Sequence, residues 1–544
     1  MAGAIAVALG VTGFVATQSA NADTAPRRIV NGWLPYWSMS SSLAAVTGNS
    51  DLWNEASPFW YTATGATTIV NETGAGDASV VSALRAKGVK VIPSVTETLN
   101  GPAMLTLLNN ATQRAAHVKM LVDLVTTNGY DGIDLDYETM NSGGGAGVRA
   151  GFVTMSRELG AALDAKGKML SLTVGPRRSA TDSNWGVFDY AGLAPSADRF
   201  RIMTYDFHWQ NGTPGAVAPQ AWVDSVIAYA KTVVPAGKID VGVPLYSYDW
   251  PADATQADKW GTAVSRTYAQ TEELRVKYNA TRLYSATDAA PYFTYTATTG
   301  VKHEVWYNDQ ASTAAKMGLI GKYGLHGLAF WVVGGEDTKQ WAPLRSYAIQ
   351  RSATMTINTP AAVTYGSDQV VTGKLTNVNG VGVAGTKVVL QFMAPGATVW
   401  QTFATGNTSS TGAISLKYKN SSNGKYRLYA YQSWTYIASA SPAVGSMIRW
   451  KATGALAAAT VKRNTPVKLS GVVTPPRTGT AVQLQRYLGN NVWSTVLTTK
   501  ISATGAYSFS WKIAAPNTYT YRAYVPTTTY NASAVSPTVK VKIT

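Results

Sequence analysis

Asp131, Asp134, Asp136 and Glu138 stand within eight residues, Asp131-Gly132-Ile133-Asp134-Leu135-Asp136-Tyr137-Glu138. Three of these acids alternate with Ile133, Leu135 and Tyr137. Alternate side chains of a strand share a face. Asp134, Asp136 and Glu138 therefore line one side, and the apolar residues pack behind them. Asp131 stands at the strand entrance. Three stacked carboxylates repel one another, so at least one must hold its proton to a higher pH than a free carboxyl group. Such an acid can donate a proton near neutral pH. Strict apolar alternation argues against a solvated acidic edge. The ligand spacing of an EF-hand calcium loop is absent. The pattern reads as a catalytic carboxylate ladder that calls for neither metal nor cofactor.

A ladder needs a frame. Strand-like runs recur at 29–34, 59–63, 89–95, 132–138, 169–174, 200–205, 239–245 and 327–333, with amphipathic stretches between them. One stretch places Ala115, Val118, Leu121, Val122 and Val125 at spacings of three and four, as one face of a helix requires. Eight strands alternating with helices predict an α/β fold, a (β/α)8 TIM barrel. A doubly wound open sheet shows the same alternation, but no glycine-rich phosphate loop follows the first strand. The long gap before the last strand, about 250–325, predicts a small α+β insertion above one rim. It has a helix-like stretch at 264–278 and strand-like runs at 292–296 and 303–307.

The 544 residues exceed one domain, and the chain has no Cys, which excludes disulfide and thiolate chemistry. Residues 2–16 are apolar and precede Ala20-Asn21-Ala22, a small-x-small pattern. They predict a secretory signal over 1–22, a mature start near Asp23 and an extracellular or cell-wall location. The first basic residue is Arg27, so no positive segment precedes the run. No other stretch reads as a membrane span.

Charge divides the chain. Residues 352–544 hold 18 Lys and Arg against one acid, Asp368, a balance of +17 in a chain of +16. Two repeats fill this tail. Leu390-Gln391, Trp400, Thr411-Gly412, Arg427 and Tyr429 match Leu484-Gln485, Trp493, Thr504-Gly505, Arg522 and Tyr524. The expected organisation is a catalytic domain over 27–350 and two all-β immunoglobulin-like sandwich domains over 353–448 and 452–544. Trp400 and Trp493 are expected to pack in the sandwich cores. The positive surface is either a solvated face or an attractor of anionic cell-wall polymer. No nucleic-acid module accompanies it.

The acidic octad matches the DxxDxDxE signature of glycoside hydrolase family 18, the chitinase-like barrels. Met203-Thr204-Tyr205-Asp206, Gly242-Val243-Pro244-Leu245-Tyr246 and Gly327-Leu328-Ala329-Phe330-Trp331 resemble the family's sixth, seventh and eighth strand motifs. The third strand, Ile92-Pro93-Ser94-Val95-Thr96, lacks the Ser-x-Gly-Gly of chitinases. Phe207-His208-Trp209, Tyr248-Asp249-Trp250 and His303-Glu304-Val305-Trp306-Tyr307 are similar to the bacterial spore-cortex-lytic and cell-wall hydrolase branch. That branch usually carries LysM repeats, and none occurs here.

The resemblance implies a secreted retaining glycosidase acting on N-acetylglucosamine-containing polysaccharide, either peptidoglycan or chitin. A non-catalytic chitin- or glycan-binding lectin is the alternative from another class. Glu138 is implied as the general acid. Asp136 is implied to hold the substrate's acetamido N–H, and Asp134 to buffer Asp136. Tyr205 is implied to donate to the acetamido group, Asp206 to bind sugar hydroxyls and Trp331 to form the sugar floor. Tyr36 and Tyr246, at C-terminal strand ends, either line the cleft or pack the rim. His208 and Trp209 are further candidate cleft residues.

Overall fold

The computed structural model describes residues 26–253, 256 and 259–544. The expected signal over 1–22 lies outside the described residues. One compact unit ends at Gln350 and a second begins at Arg351.

The first unit is a closed ring of eight parallel strands. They are Val30–Pro35, Trp53–Ala63, Ser94–Glu97, Gly132–Asp136, Met169–Val174, Arg199–Ile202, Ile239–Pro244 and Gly327–Trp331. The first strand pairs with the second (Gly32 opposite Ala56) and with the eighth (Val30 opposite Leu328), which closes the barrel expected from the sequence. Helices cover the ring, so most strand residues are buried, as in other parallel sheets. Local capping starts these helices. Asn110 Oδ1 accepts the backbone N–H of Thr112 and Gln113, both at 3.1 Å, and opens Ala111–Thr127. Asp309 does the same for Ala311 and Ser312 at 2.9 Å and opens Gln310–Tyr323.

Several boundaries differ from the sequence expectation. The fourth strand ends at Asp136, so Tyr137 and Glu138 lie on the loop above the rim. The sixth ends at Ile202, where Thr204 N–H turns back to the Ile202 carbonyl at 2.8 Å, so Tyr205 and Asp206 also lie on a loop. Pro93 has no N–H to donate, and the third strand is split into Lys90–Val91 and Ser94–Glu97 around it. On helix Ala111–Thr127 the buried set is His117, Val118, Leu121 and Val125, while Ala115 is exposed. The apolar period missed His117 because a polar ring joins the face by bonding Tyr137 Oη at 2.7 Å.

The insertion is a five-stranded antiparallel sheet with one helix, Tyr268–Lys277. It starts at strand Ser247–Pro251. Val264–Arg266, expected as helix, is a strand paired with it. Thr267 and Gln270 form a capping box that delays the helix to Tyr268.

The second unit holds two pairs of sheets, each pair around its own core. One core contains Val371, Leu390, Tyr426 and Leu428, and the other Leu469, Leu484, Phe509 and Ala523. Trp400 and Trp493 belong to neither core, contrary to expectation. Both are half-exposed, each beneath an arginine.

One glycine ties the barrel to the loop that carries Tyr205. A Cβ on Gly242 would lie 2.4 Å from the Ile202 carbonyl oxygen, 2.8 Å from Thr204 N and 3.0 Å from Tyr205 Cε1. Two of these are backbone atoms and cannot swing aside. Gly242→Ala is therefore expected to destabilise the barrel by about 1–3 kcal/mol. Urea denaturation followed by tryptophan fluorescence measures this, and an unchanged midpoint contradicts it.

Candidate active site

Asp134 lies deepest of the ladder and is fully buried. It accepts hydrogen bonds from Trp33 Nε1 (2.8 Å), Ser94 Oγ (2.9 Å), Ser171 Oγ (2.5 Å) and Thr173 Oγ1 (3.0 Å). The Arg201 guanidinium stands 3.6 Å away. These donors come from the first, third, fifth and sixth strands, so only the closed barrel assembles them.

Asp136, one layer higher, is also buried. Burial holds its proton well above the ordinary carboxyl range. The charges of Glu138, Asp134 and Glu97 push it further the same way, and Arg201 opposes them. Its Oδ1 is buried and has no hydrogen-bond partner among the described residues.

Glu138 hangs over this pair on the loop. Its carboxyl is pushed up to about 7, by burial first and by the Asp206 charge second. Both oxygens of buried Glu97 hold that loop in place. Oε2 accepts the Glu138 N–H at 3.1 Å, and Oε1 accepts the Met140 N–H at 2.6 Å. Burial raises Glu97 to about 7 as well, against those two hydrogen bonds. Glu97 escaped the sequence reading. Its signal was there, an acid ending a barrel strand at the C-terminal rim.

Tyr205 and Asp206 form the facing wall. Burial and the charges of Asp136 and Glu138 keep the Tyr205 hydroxyl protonated far above neutral pH. Asp206 adopts a left-handed backbone, φ 57°, which a short polar side chain tolerates. The Tyr246 hydroxyl donates to Asp206 Oδ1. Surrounding protein raises the Asp206 carboxyl, and hydrogen bonds from Tyr246 and Tyr248 partly offset this. Glu138, Tyr205 and Asp206 share a cleft of about 460 Å³ with Asn141, Trp185, Phe207 and Trp222, a size suited to a small-ligand site.

Trp331 ends the eighth strand and meets Trp33 edge-on, with centroids 6.3 Å apart. It therefore touches the same indole that donates to Asp134. Trp331, Tyr205 and Tyr246 border one apolar cluster. Tyr36 stands just beyond the first strand, 4.9 Å from exposed Trp37, which in turn lies 6.0 Å from Trp331. His208 and Trp209 are not among the residues lining the cleft. His208 donates from Nδ1 to the Thr213 carbonyl at 2.9 Å and packs where a Gly215 side chain would be, so it braces its own loop. Trp209 is 51% exposed. Asp131 lies below, accepting the Val91 N–H at 2.9 Å.

Glu55, Asp240 and His326 also converge inside the barrel, within 4.8 Å of one another. Arg199 bonds Glu55 at 2.7 Å, and Arg201 lies 3.8 Å from Glu55 and 3.9 Å from Asp240. Two guanidinium groups therefore already neutralise the carboxylates, and the cluster is an ion-pair network.

The model of Glycosyl hydrolases family 18 matches residues 45–336. A Bacillus subtilis (strain 168) protein, YdhD, named provisionally as a sporulation-specific glycosylase, is 30% identical over 314 residues, 56% of this chain and 68% of its own. The cortical fragment-lytic enzyme of Bacillus anthracis is 34% identical over 177 residues, 32% of this chain and 41% of its own. This chain thus spans less than half of that second relative. The crystal structure of a chitinase from Chromobacterium violaceum matches with 26% identity and a TM-score of 0.52, covering 58% of this chain and 98% of that one.

The raised carboxyl groups make stability depend on pH. In the folded protein Glu97 and Glu138 keep their protons to about 7, against an ordinary value of 4.5. Between these values the folded state binds more protons than the unfolded chain. Their contribution to stability is therefore present at low pH and is lost as pH rises from about 4.5 to about 7. Glu138→Gln removes one of the two groups. Its thermal midpoint should gain on wild type as pH rises through this window. A difference that stays constant from pH 4.5 to 7.5 would refute the assignment.

Proposed function

The chain belongs to family 18 of the glycosyl hydrolases and is a glycosidase, and from that membership we propose that it cleaves β-1,4 bonds of N-acetylglucosamine-containing glycans. The bond is broken with help from the substrate's own 2-acetamido group. The observation that carries this reading is the buried Oδ1 of Asp136, without a partner among the described residues, beside a carboxylic acid that holds its proton to about 7. That oxygen lacks a donor, and an acetamido N–H supplies one. Glu138 then protonates the leaving glycosidic oxygen. The acetamido oxygen attacks the anomeric carbon and forms an oxazolinium ion, outside the scheme of two enzyme carboxylates. Water opens the ion, with Glu138 now accepting its proton. Asp136 orients and polarises the acetamido N–H, while Asp134 holds the charge beneath it. Tyr205 donates its hydroxyl to the acetamido group. Asp206 takes sugar hydroxyls, Trp331 is the apolar floor, and Tyr36 and Tyr246 extend the walls.

Peptidoglycan is the proposed substrate, acted on outside the cell or in the wall. A relative named for cortical fragment lysis supports this, as does the absence of Ser-x-Gly-Gly on the third strand. The basic tail supports it too, read as an anchor for anionic wall polymer. Among the described residues no helix is long and apolar enough to cross a membrane. Chitin is the second reading, favoured by the likeness to a chitinase structure.

Loss of a positioned general acid costs on the order of 10²–10⁴-fold. Glu138→Gln is expected to lose turnover on that scale or beyond while still binding glycan in a pull-down assay. Near wild-type turnover would remove Glu138 from the mechanism. Substrate assistance has its own check. N-deacetylated glycan should resist hydrolysis, whereas equal rates on acetylated and deacetylated glycan exclude acetamido participation. Purified peptidoglycan and chitin oligomers, digested in parallel, separate the two substrates. Mass spectrometry should find new N-acetyl amino-sugar reducing ends from peptidoglycan, and release from chitin alone would reverse the choice.

A further inference from the structure

Each C-terminal repeat carries the same polar constellation on its larger sheet. In the first, Arg427 and Gln391 are opposite one another on neighbouring strands, and Arg427 Nε donates to Gln391 Oε1 at 2.7 Å. The guanidinium carbon lies 4.4 Å from the Trp400 ring centroid and 5.7 Å from that of Tyr429. In the second, Arg522 is opposite Gln485 and donates from Nε to its Oε1 at 2.9 Å. Its guanidinium lies 4.0 Å from the Trp493 ring and 5.9 Å from Tyr524.

Three features mark these arginines as unspent. Their Nη atoms make no hydrogen bond among the described residues, so the two-pronged edge of each guanidinium stays available. Neither arginine has an ion-pair partner there, and Asp368 is the only acid after residue 351. Each is half-buried, and burial lowers both from the ordinary arginine value, as befits cations partly stripped of water without a counter-charge. A guanidinium clamped by Gln and stacked on indole has little freedom left to lose. Such a fork matches a carboxylate or phosphate with two parallel hydrogen bonds.

We propose that Gln391–Arg427–Trp400 and Gln485–Arg522–Trp493 are two equivalent oxyanion-binding sites through which the tail grips an anionic polymer. The inference rests on the reading of the basic tail as an anchor and adds to it the residues and the geometry. The ligand group is a carboxylate or a phosphodiester recurring along a chain. Two such sites on one polypeptide raise the apparent affinity for a repeating polymer beyond that for its monomer.

The test uses the full chain, with poly(glycerol phosphate) and polygalacturonate as probes and a neutral chitin oligomer as control. Wild type should bind at least one polyanion, and the one it prefers identifies the oxyanion. Arg427→Lys and Arg522→Lys keep the charge and remove the fork. Each should weaken binding about tenfold, and the pair should weaken it further. Arg427→Gln and Arg522→Gln should weaken it at least as much, with hydrolysis of soluble oligosaccharide unchanged throughout. Thermal midpoints check folding, and if the Gln forms unfold the Lys forms decide. Salt-sensitive binding that the double Lys variant retains in full overturns the sites but leaves the anchor standing on bulk charge. A wild type that binds neither polyanion overturns both.

Discussion

The arrangement above the barrel depends on one guanidinium inside it. Arg201 is fully buried, bonds Ser57 Oγ at 2.6 Å, and stands 3.6–3.9 Å from Asp134, Glu55 and Asp240. The Trp33 ring lies 5.5 Å from it and donates to Asp134. A buried charge without a partner costs several kcal/mol, so a cation in the interior is what makes a floor of carboxylates tolerable. Arg201 also opposes the proton uptake that burial and crowding favour at Asp136. The ladder therefore has a graded field. A cation and many donors surround its deepest member, and less compensation remains at each step upward.

That gradient separates three carboxyl groups of similar chemistry. Asp134 is surrounded by donors from several strands. Asp136 keeps one buried oxygen without a partner among the described residues, a costly state that binding of a donor relieves. Glu138 sits where few donors reach it, and its proton stays to about pH 7. Its position on a loop does not leave it loose, because Glu97 takes two backbone N–H groups of that loop. A second carboxylate thus sets the geometry of the first.

The C-terminal unit shows a different use of the same ion chemistry. Inside the barrel, arginines are spent on carboxylates. In the sandwiches, Arg427 and Arg522 lie over indoles and are held by a neutral amide. Lacking acids nearby, this unit's cations form no ion pair among the described residues, and residues 352–544, at +17, account for the whole of the chain's +16 net charge.

The amino-acid sequence determined by itself whatever is periodic or local. Alternation placed Asp134 and Asp136 on one strand face, with Glu138 on the loop just beyond the strand end, strand and helix periods recurred eight times, and the tail displayed its own duplication. These are one-dimensional patterns, and the closed ring of parallel strands agrees with them. Only the tertiary structure decided which distant partners meet those faces. Trp33 reaches Asp134 across 101 residues, and Arg201 and Glu97 enter from other strands. No local period encodes such meetings, because they follow from the order and register in which the barrel closes. The same limit hid the placement of Trp400 and Trp493. A repeated aromatic in a strand-rich segment fits the core and the outer face equally well. Here Arg427 and Arg522, opposite glutamines on neighbouring strands, draw them outward. Periodicity tells which side chains share a face, and packing tells what that face meets.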